Sequence, residues 1–403
     1  MVRPCLPSLL TVYGMRKVLF IAYDFPPGIG IGGGLRSANF AHYLPEFSWQ
    51  PTVVALDGGQ KKAADVIRLS SPTPWHSPYE MTSYGWAYAL HRYLRNCSDD
   101  FDLVYVSCPP FPQALAAATF TRRRQLPLVV DFRDAWSLDP YQEGSRFKRM
   151  LYRYLFPSME RHLMPQTDLL ILNTPSALQT YQELYPLQAD KMAWLPNGYD
   201  KRAFPDEMPQ PSRDEFVLLH AGRFGIGGRS PVNILTGITL ARQAGCDARL
   251  VILGNQPDAV QTQIDAAGLD DAIELRGQVE YPRAVAEMCA ASVLVLVQAP
   301  SQMTVQAVAG KTFDYLRAGR PILAIGPAGD NMDLIHQHAG RYEHPADEPE
   351  AIARAIVRLC KEWARGEHVK HQVDPALSER FERRALTAGL SAHFDRLLSL
   401  GTP

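Results

Sequence analysis

The run AGKTFDYLRAGRPILAIGP (309–327) reads as a helix that feeds a buried strand. Its first turn carries Gly310 and Lys311, where peptide dipoles leave positive potential and free amides, so an anion belongs there. Asp314, one turn further on, is suited to accept hydrogen bonds from a pair of ribose hydroxyls. Taken alone it would equally serve as an acid complementing the helix dipole. In LHAGRFGIGGRSPVN (219–233) a strand ends at Gly222, and Arg223 and Arg229 bracket a glycine-rich loop before Pro231 opens a helix. Two guanidiniums so placed suit a diphosphate, each able to donate a bidentate pair. Solvated surface arginines are the plainer alternative. Three cations at two strand–helix turns favour a nucleoside diphosphate.

Other motifs are more ambiguous. In DFPPGIGIGGGLRSANFAHYL (24–44), Gly28, Gly30 and Gly33 satisfy G-x-G-x-x-G, and Asp57 ends the next strand, so a dinucleotide site is a formal candidate. Asp24-Phe25-Pro26-Pro27 separates the strand from those glycines, and their excess suits a closing loop whose amides approach a sugar or phosphate. The DFRDAW patch (Asp131, Arg133, Asp134, Trp136) ends another strand and is either an Asp–Arg structural pair or part of a cleft rim that binds ligand hydroxyls. GSRFKRMLYRYLFPSMERHLM (144–164) interleaves Arg146, Lys148, Arg149, Arg153 and Arg161 with large apolar residues. It reads as an amphipathic helix on the sheet, whose basic face can also meet anionic lipid. Asp100-Phe101-Asp102 precedes a strand and is expected to be a strand-entry acid. No cluster has metal-ligand spacing, so neither a catalytic metal nor a resident cofactor is expected.

The elements that must hold these residues follow a repeating rhythm. KVLFIAY (17–23), PTVVAL (51–56), LVYVS (103–107), PLVVDF (127–132), LLILN (169–173) and MAWLP (192–196) are strand-like, with helix-length segments between most of them. The proline-rich, charged run 199–215 interrupts them. FVLLHAG (216–222), ARLVILG (248–254), AIELRG (272–277), VLVLVQA (293–299) and PILAIG (321–326) then resume the pattern. This is an α/β chain of two doubly wound, Rossmann-like domains facing a cleft. The expected divisions are a disordered tail over 1–14, a first Rossmann-like domain over 15–200 and a linker over 201–215. A second Rossmann-like domain over 216–375 and a helix over 376–403 that can cross back to the first domain complete them.

With 403 residues and a formal charge of -1, the chain is long enough for two cores and lacks the basic excess of a nucleic-acid partner. Six scattered cysteines without paired spacing suit reduced thiols in a cytoplasmic setting. No apolar run approaches the roughly 20 residues that span a bilayer.

In order and spacing, FIAYDFPPGIGIGGG, VVDFRDAW, WLPNGYD, HAGRFGIGGR and GKTFDYLRAGRPILAIGP resemble the GT-B glycosyltransferases, specifically the family 4 retaining enzymes, from about Arg16 to FERRALT. The resemblance implies a nucleotide-sugar donor held mainly by the second domain. Arg223 and Arg229 would bind its diphosphate with Lys311. Gly254 and Asn255 would line the nucleotide pocket, with the 277–279 loop, including Val279, at the base. Gly32, Gly33 and Gly34 would approach the donor phosphates, and Gly310 would lend amides. The family's two glutamates, eight positions apart, read here as Gln306 and Asp314, for sugar and ribose respectively. The implied reaction is front-face transfer to a glycan or polyprenyl-linked acceptor, in cell-surface or extracellular polysaccharide synthesis, with peripheral contact at the inner face of the cell membrane. Gln306 keeps open a weakened relative acting as a binding or assembly subunit. A nucleotide-sugar epimerase shares the architecture, and the first glycine cluster leaves an oxidoreductase on the table.

Overall fold

Short runs of Val, Leu and Ile with no polar alternation must be covered on both faces, and parallel strands joined by helices achieve this. The structure is a computed structural model that describes residues 14–26, 31–57, 66–71, 84–138, 151–225, 228–299, 306–367 and 373–400. Its first sheet contains β1 (Arg16–Ala22), β2 (Trp49–Leu56), β3 (Val66–Leu69), β4 (Leu103–Cys108), β5 (Leu128–Phe132), β6 (Leu169–Leu172) and β7 (Met192–Trp194). They lie in the order β3-β2-β1-β4-β5-β6-β7. The second contains β8 (Phe216–Ala221), β9 (Ala248–Leu253), β10 (Ile273–Leu275), β11 (Val293–Val297), β12 (Ile322–Ile325) and β13 (Tyr342–Glu343). Its order is β10-β9-β8-β11-β12-β13. All the pairings are parallel. The winding direction reverses between β1 and β4 and between β8 and β11, and such switch points open a crevice beyond the strands' carboxyl ends.

The helices over the first sheet are α1 (Ile31–Tyr43), α2 (Tyr84–Asn96), α3 (Pro112–Arg124), α4 (Phe156–Leu163) and α5 (Pro175–Leu184). Around the second sheet lie α6 (Val232–Gln243), α7 (Asp258–Ala266), α8 (Tyr281–Ala290), α9 (Gly310–Ala318), α10 (Asp330–His338) and α11 (Pro349–Ala364). The chain finishes with α12 (Ala376–Phe381) and α13 (Arg383–Leu400). The sheets bury alternate residues on opposite faces: Leu19 and Ile21 enter one core, Val18 and Phe20 the other.

α13 belongs spatially to the first sheet. Leu386, Leu390 and Phe394 join the core of Val18, Phe20 and Tyr105, and Phe394 meets Trp49 edge-on at 5.1 Å. Two chain segments therefore cross between the domains, and they are stitched side by side. The Tyr199 amide donates to Phe381 O at 3.1 Å, and the Arg383 amide to Tyr199 O at 3.0 Å. At Gly198 a Cβ would lie 2.1 Å from Phe381 O, so no side chain fits at this crossing.

The basic 144–164 segment is not a single helix. Residues 144–150 lie outside the described residues; Leu151–Leu155 form one π-turn, and α4 restarts at Phe156 with Pro157 in its first turn. Arg153, Tyr154 and Leu155 are exposed, while Phe156, Glu160 and Leu163 are buried. Gly28, Gly30 and residues 1–13 also lie outside the described residues.

Candidate functional site

At the second switch point the β8–β11 ladder stops at Leu219 and Leu294, and the strands then diverge. α9 enters this opening with its N-terminus first. Ala309 at its cap offers no side-chain hydrogen bond, and among the described residues a Cβ built on Gly310 would meet nothing within 4 Å beyond its chain neighbours and its own helix backbone. The Thr312 amide turns back to Ala309 O at 2.9 Å, so the Gly310 and Lys311 amides lead the positive end of the helix. A buried network holds this end in place. Thr312 Oγ1 donates to Asn331 Oδ1 at 2.7 Å, Asn331 Nδ2 to Gln298 Oε1 at 3.0 Å, and Gln298 Nε2 to Ala307 O at 3.1 Å.

Lys311 extends from this turn towards β8. A Cβ on Gly222 would come 3.2 Å from its Nζ, and the His220 ring lies beside it. Withdrawal from water, reinforced by the nearby Arg229 charge, holds the Lys311 ammonium well below the usual lysine pKa. No salt bridge to Lys311, Arg229 or Arg223 is formed among the described residues. Arg229 is half-buried and electrostatically coupled to Lys311 and His220; Arg223 is exposed, directly after Gly222. Positive charge without a paired carboxylate among the described residues, at the start of a helix, is an arrangement that favours an anion.

The other expected donor contacts line the same strand ends. Gly254 takes a φ of 116°, and a Cβ there would meet Gly222 O at 3.2 Å, so glycine lets the two turns touch. Gln256, which the sequence did not single out, staples them. Its Nε2 donates to Gly222 O at 3.1 Å and Gly254 O at 2.7 Å, and its Oε1 accepts from the Phe224 amide at 3.0 Å. Asn255 Oδ1 accepts from the Gln278 amide at 3.0 Å, with half-buried Val279 next in the chain.

Gln306 and Asp314 are already engaged. Gln306 Nε2 donates to Thr180 Oγ1 at 2.9 Å, and Gln306 O accepts from Thr174 Oγ1 at 2.7 Å, both on the first domain. Ser176 Oγ adds a bond to Asp330 Oδ1 at 2.7 Å, so the start of α5 latches onto the second domain. Asp314 is 6% exposed and accepts from Tyr281 OH at 2.7 Å. Burial pushes its carboxyl up to about 6, against the pull of Arg383 and of the Tyr281 hydrogen bond.

On the first domain the structure corrects two assignments. Asp131 is not on the rim: it is wholly buried and paired with Arg36 of α1, Nε to Oδ2 at 2.8 Å and Nη2 to Oδ1 at 3.2 Å. Tyr105 OH also donates to it, while Arg36 gives its remaining donors to Leu195 O, Pro196 O and Asn197 Oδ1. Trp136 is likewise core, stacked on Phe111 at 5.1 Å. Its amide donates to Tyr181 OH, whose hydroxyl donates to buried Glu160. A third expectation changes form. Gly32, Gly33 and Gly34 lie in the first turn of α1, not in a free loop, and a Cβ on Gly34 would come 3.3 Å from Asp24 O.

Arg133 and Asp134 do remain at the strand ends. Asp134 is exposed, and Arg133 is half-buried with Nη2 donating to Pro109 O at 3.2 Å. Asp24 completes this edge. Burial raises its carboxyl to about 7, opposed by Arg133, Arg68 and the Gly34 amide. Arg68 ties the segment down through Phe25 O at 2.9 Å and Pro26 O at 2.8 Å. Among the described residues no three or more His, Cys, Asp or Glu side chains gather to hold a metal ion.

Two parallel-sheet, Rossmann-like domains linked by paired crossing segments are the architecture of the GT-B sugar transferases. Residues 31–202 match the family profile described as Glycosyltransferase Family 4, and residues 215–362 match that of the group 1 glycosyl transferases. The chain belongs to these glycosyltransferases and is an enzyme of that type. No curated protein sequence matches it. Among solved structures it is similar to sucrose-phosphate synthase from Thermosynechococcus elongatus, with TM-score 0.70 and 14% identity over 96% of this chain and 100% of that one. Anabaena HepE in complex with UDP and glucose gives 0.66 and 16% over 94% and 100%. WaaG, a glycosyltransferase of lipopolysaccharide biosynthesis, gives 0.66 and 15% over 94% and 99%.

Proposed function

We propose that the chain is a retaining glycosyltransferase that moves a sugar from a nucleoside-diphosphate donor to a glycan or polyprenyl-linked acceptor, in the synthesis of a cell-surface or extracellular polysaccharide. The observation that carries this reading is the meeting of Lys311, Arg229 and the uncapped start of α9 at one switch point, with no carboxylate paired to either cation among the described residues. Arg223 would join them from the exposed turn after β8. In the reaction the bond from the sugar's anomeric carbon to the β-phosphate oxygen breaks. An acceptor oxygen bonds to that carbon on the same face, and its proton passes to the departing phosphate. The cations and helix amides stabilise the charge that grows on the leaving group. No cofactor or metal takes part in this scheme.

The acceptor would enter over Arg133, Asp134 and Asp24 on the first domain. A basic and aromatic face supports presentation from an anionic membrane: Arg153, Tyr154 and Leu155 are exposed, and Tyr84 OH of α2 reaches Met159 of α4. Tyr88, Arg92 and Arg95 extend that face along α2. No helix among the described residues is long and apolar enough to cross the bilayer, which suits peripheral attachment on the cytoplasmic side.

The test is transfer from UDP-, GDP- and ADP-sugars to a polyprenyl-linked acceptor pool, with the product's anomeric configuration read by NMR. UDP-glucose is the first donor to try, because the similar HepE has a structure in complex with UDP-glucose. The expected result is product of unchanged anomeric configuration. Binding without turnover on any acceptor would mark an assembly subunit, and altered sugar stereochemistry in recovered donor would mark an epimerase.

A further inference from the structure

His220 is the first residue of β8 beyond its last pairing with β11, and it is fully buried. The separation of the strands leaves the Val295 carbonyl to side chains. His220 Nδ1 lies 3.0 Å from it, and Tyr315 OH donates to the same oxygen at 3.3 Å while accepting from the Ala221 amide. A carbonyl oxygen can only accept, so Nδ1 carries the ring proton. The ring also stacks on Phe224 with centroids 4.3 Å apart, which fixes its plane. Nε2 therefore presents a lone pair, and it points at Lys311 Nζ, 3.4 Å away. A second ring proton is disfavoured by burial first, and then by the charges of Lys311 and Arg229, which together keep His220 far below the usual histidine pKa.

We infer that His220 is a positioning residue for Lys311: a neutral acceptor that aims the ammonium into the crevice without cancelling its charge. The inference rests on the diphosphate reading of the site. A carboxylate at this position would hold the lysine equally well but would neutralise the charge that a diphosphate needs. An aliphatic residue would leave the charge intact and the amine unaimed. Imidazole in this tautomer provides direction and leaves the charge to the ligand. The stack on Phe224 and the bond to Val295 are the second layer that keeps the acceptor in place.

The experiment uses the full chain. Histidine-selective 15N and 13C labelling should show one ring protonated at Nδ1 that does not titrate between about pH 5 and pH 8, where an ordinary histidine does. That ring should disappear in His220→Phe, which keeps the stack on Phe224 but accepts nothing. Titration calorimetry with UDP, and with inorganic pyrophosphate as a probe lacking the base, should find affinity lower by about tenfold in His220→Phe, the scale of one hydrogen bond to a charged group. His220→Gln, whose amide oxygen can accept from Lys311, should recover most of that loss. A ring protonated at Nε2, or one that titrates in this range, would overturn the inference even if the variants failed to fold. Wild-type affinity in His220→Phe with lost affinity in Lys311→Met would overturn the positioning role alone. Wild-type affinity in Lys311→Met would instead remove the diphosphate reading beneath it.

Discussion

Replacing Asp131 by Asn separates a structural carboxylate from one that handles the acceptor. The substitution preserves shape but removes the charge opposite Arg36, whose side chain is 6% exposed against 0% for Asp131. Arg36 would keep its bonds to Leu195 O and Pro196 O, but Tyr105 and two guanidinium nitrogens would lose an anionic acceptor. Breaking a buried pair by removing one charge costs about 3–5 kcal/mol, and the remaining Asn oxygen places this case near the lower end. In a domain of this size about 3 kcal/mol corresponds to a fall in Tm of about 6–12 °C. Calorimetric unfolding of Asp131→Asn should show that fall. UDP affinity measured well below the transition should stay at the wild-type value. Arg36→Met in the same chain should recover part of the loss, since it removes the stranded charge. A Tm within about one degree of wild type, combined with lost transfer, would refute the structural assignment and return Asp131 to the acceptor site.

Three further outcomes follow from the same geometry. Thr180 Oγ1 gives its hydrogen to Ser176 O at 2.8 Å, so its partner at position 306 must be a donor, which a carboxylate is not. Gln306→Glu should therefore cost about 1 kcal/mol at the domain contact and speed amide exchange in residues 174–184, whereas unchanged exchange would contradict the latch. Asp24 has a folded pKa of about 7 against 3.8 for the free group, so its contribution to stability is complete below about pH 4 and is lost as the pH rises through 7. Urea midpoints of wild type and Asp24→Asn should diverge across that window, with Asp24→Asn the more stable at about pH 8; parallel curves would show that the carboxyl is not buried as described. Gly198→Ala forces a methyl against Phe381 O and should lower Tm and alter the solution scattering profile, since it displaces the paired crossing segments. An unaltered profile and Tm would mean the crossing is looser than its hydrogen bonds suggest.

The strands were legible because parallel sheets buried on both faces leave uninterrupted apolar runs. β3 was not, since it is a half-buried edge strand carrying Arg68, and β13 is only two residues long. The cradle was partly legible. Lys311 announces itself beside a glycine at a helix start, but His220 looks like any core residue at a strand end until its two nitrogens are assigned. Asp131 was open to either reading because Arg133 and Asp134 adjoin it in sequence, whereas its partner Arg36 lies 95 residues away. Gln306 reads as an altered sugar contact until Thr180, 126 residues distant, is seen to accept from its amide. In each case local pattern conveys the type of residue, while the partner that decides its role arrives through the fold.

Titration calorimetry of UDP and pyrophosphate against wild type, Lys311→Met and Arg229→Ala addresses the cationic cradle most directly. A hydrogen bond to a charged group contributes about 1.5–3 kcal/mol, so each variant should bind both probes at least about tenfold more weakly. Wild-type affinity for both probes in either variant would contradict a diphosphate site at the start of α9.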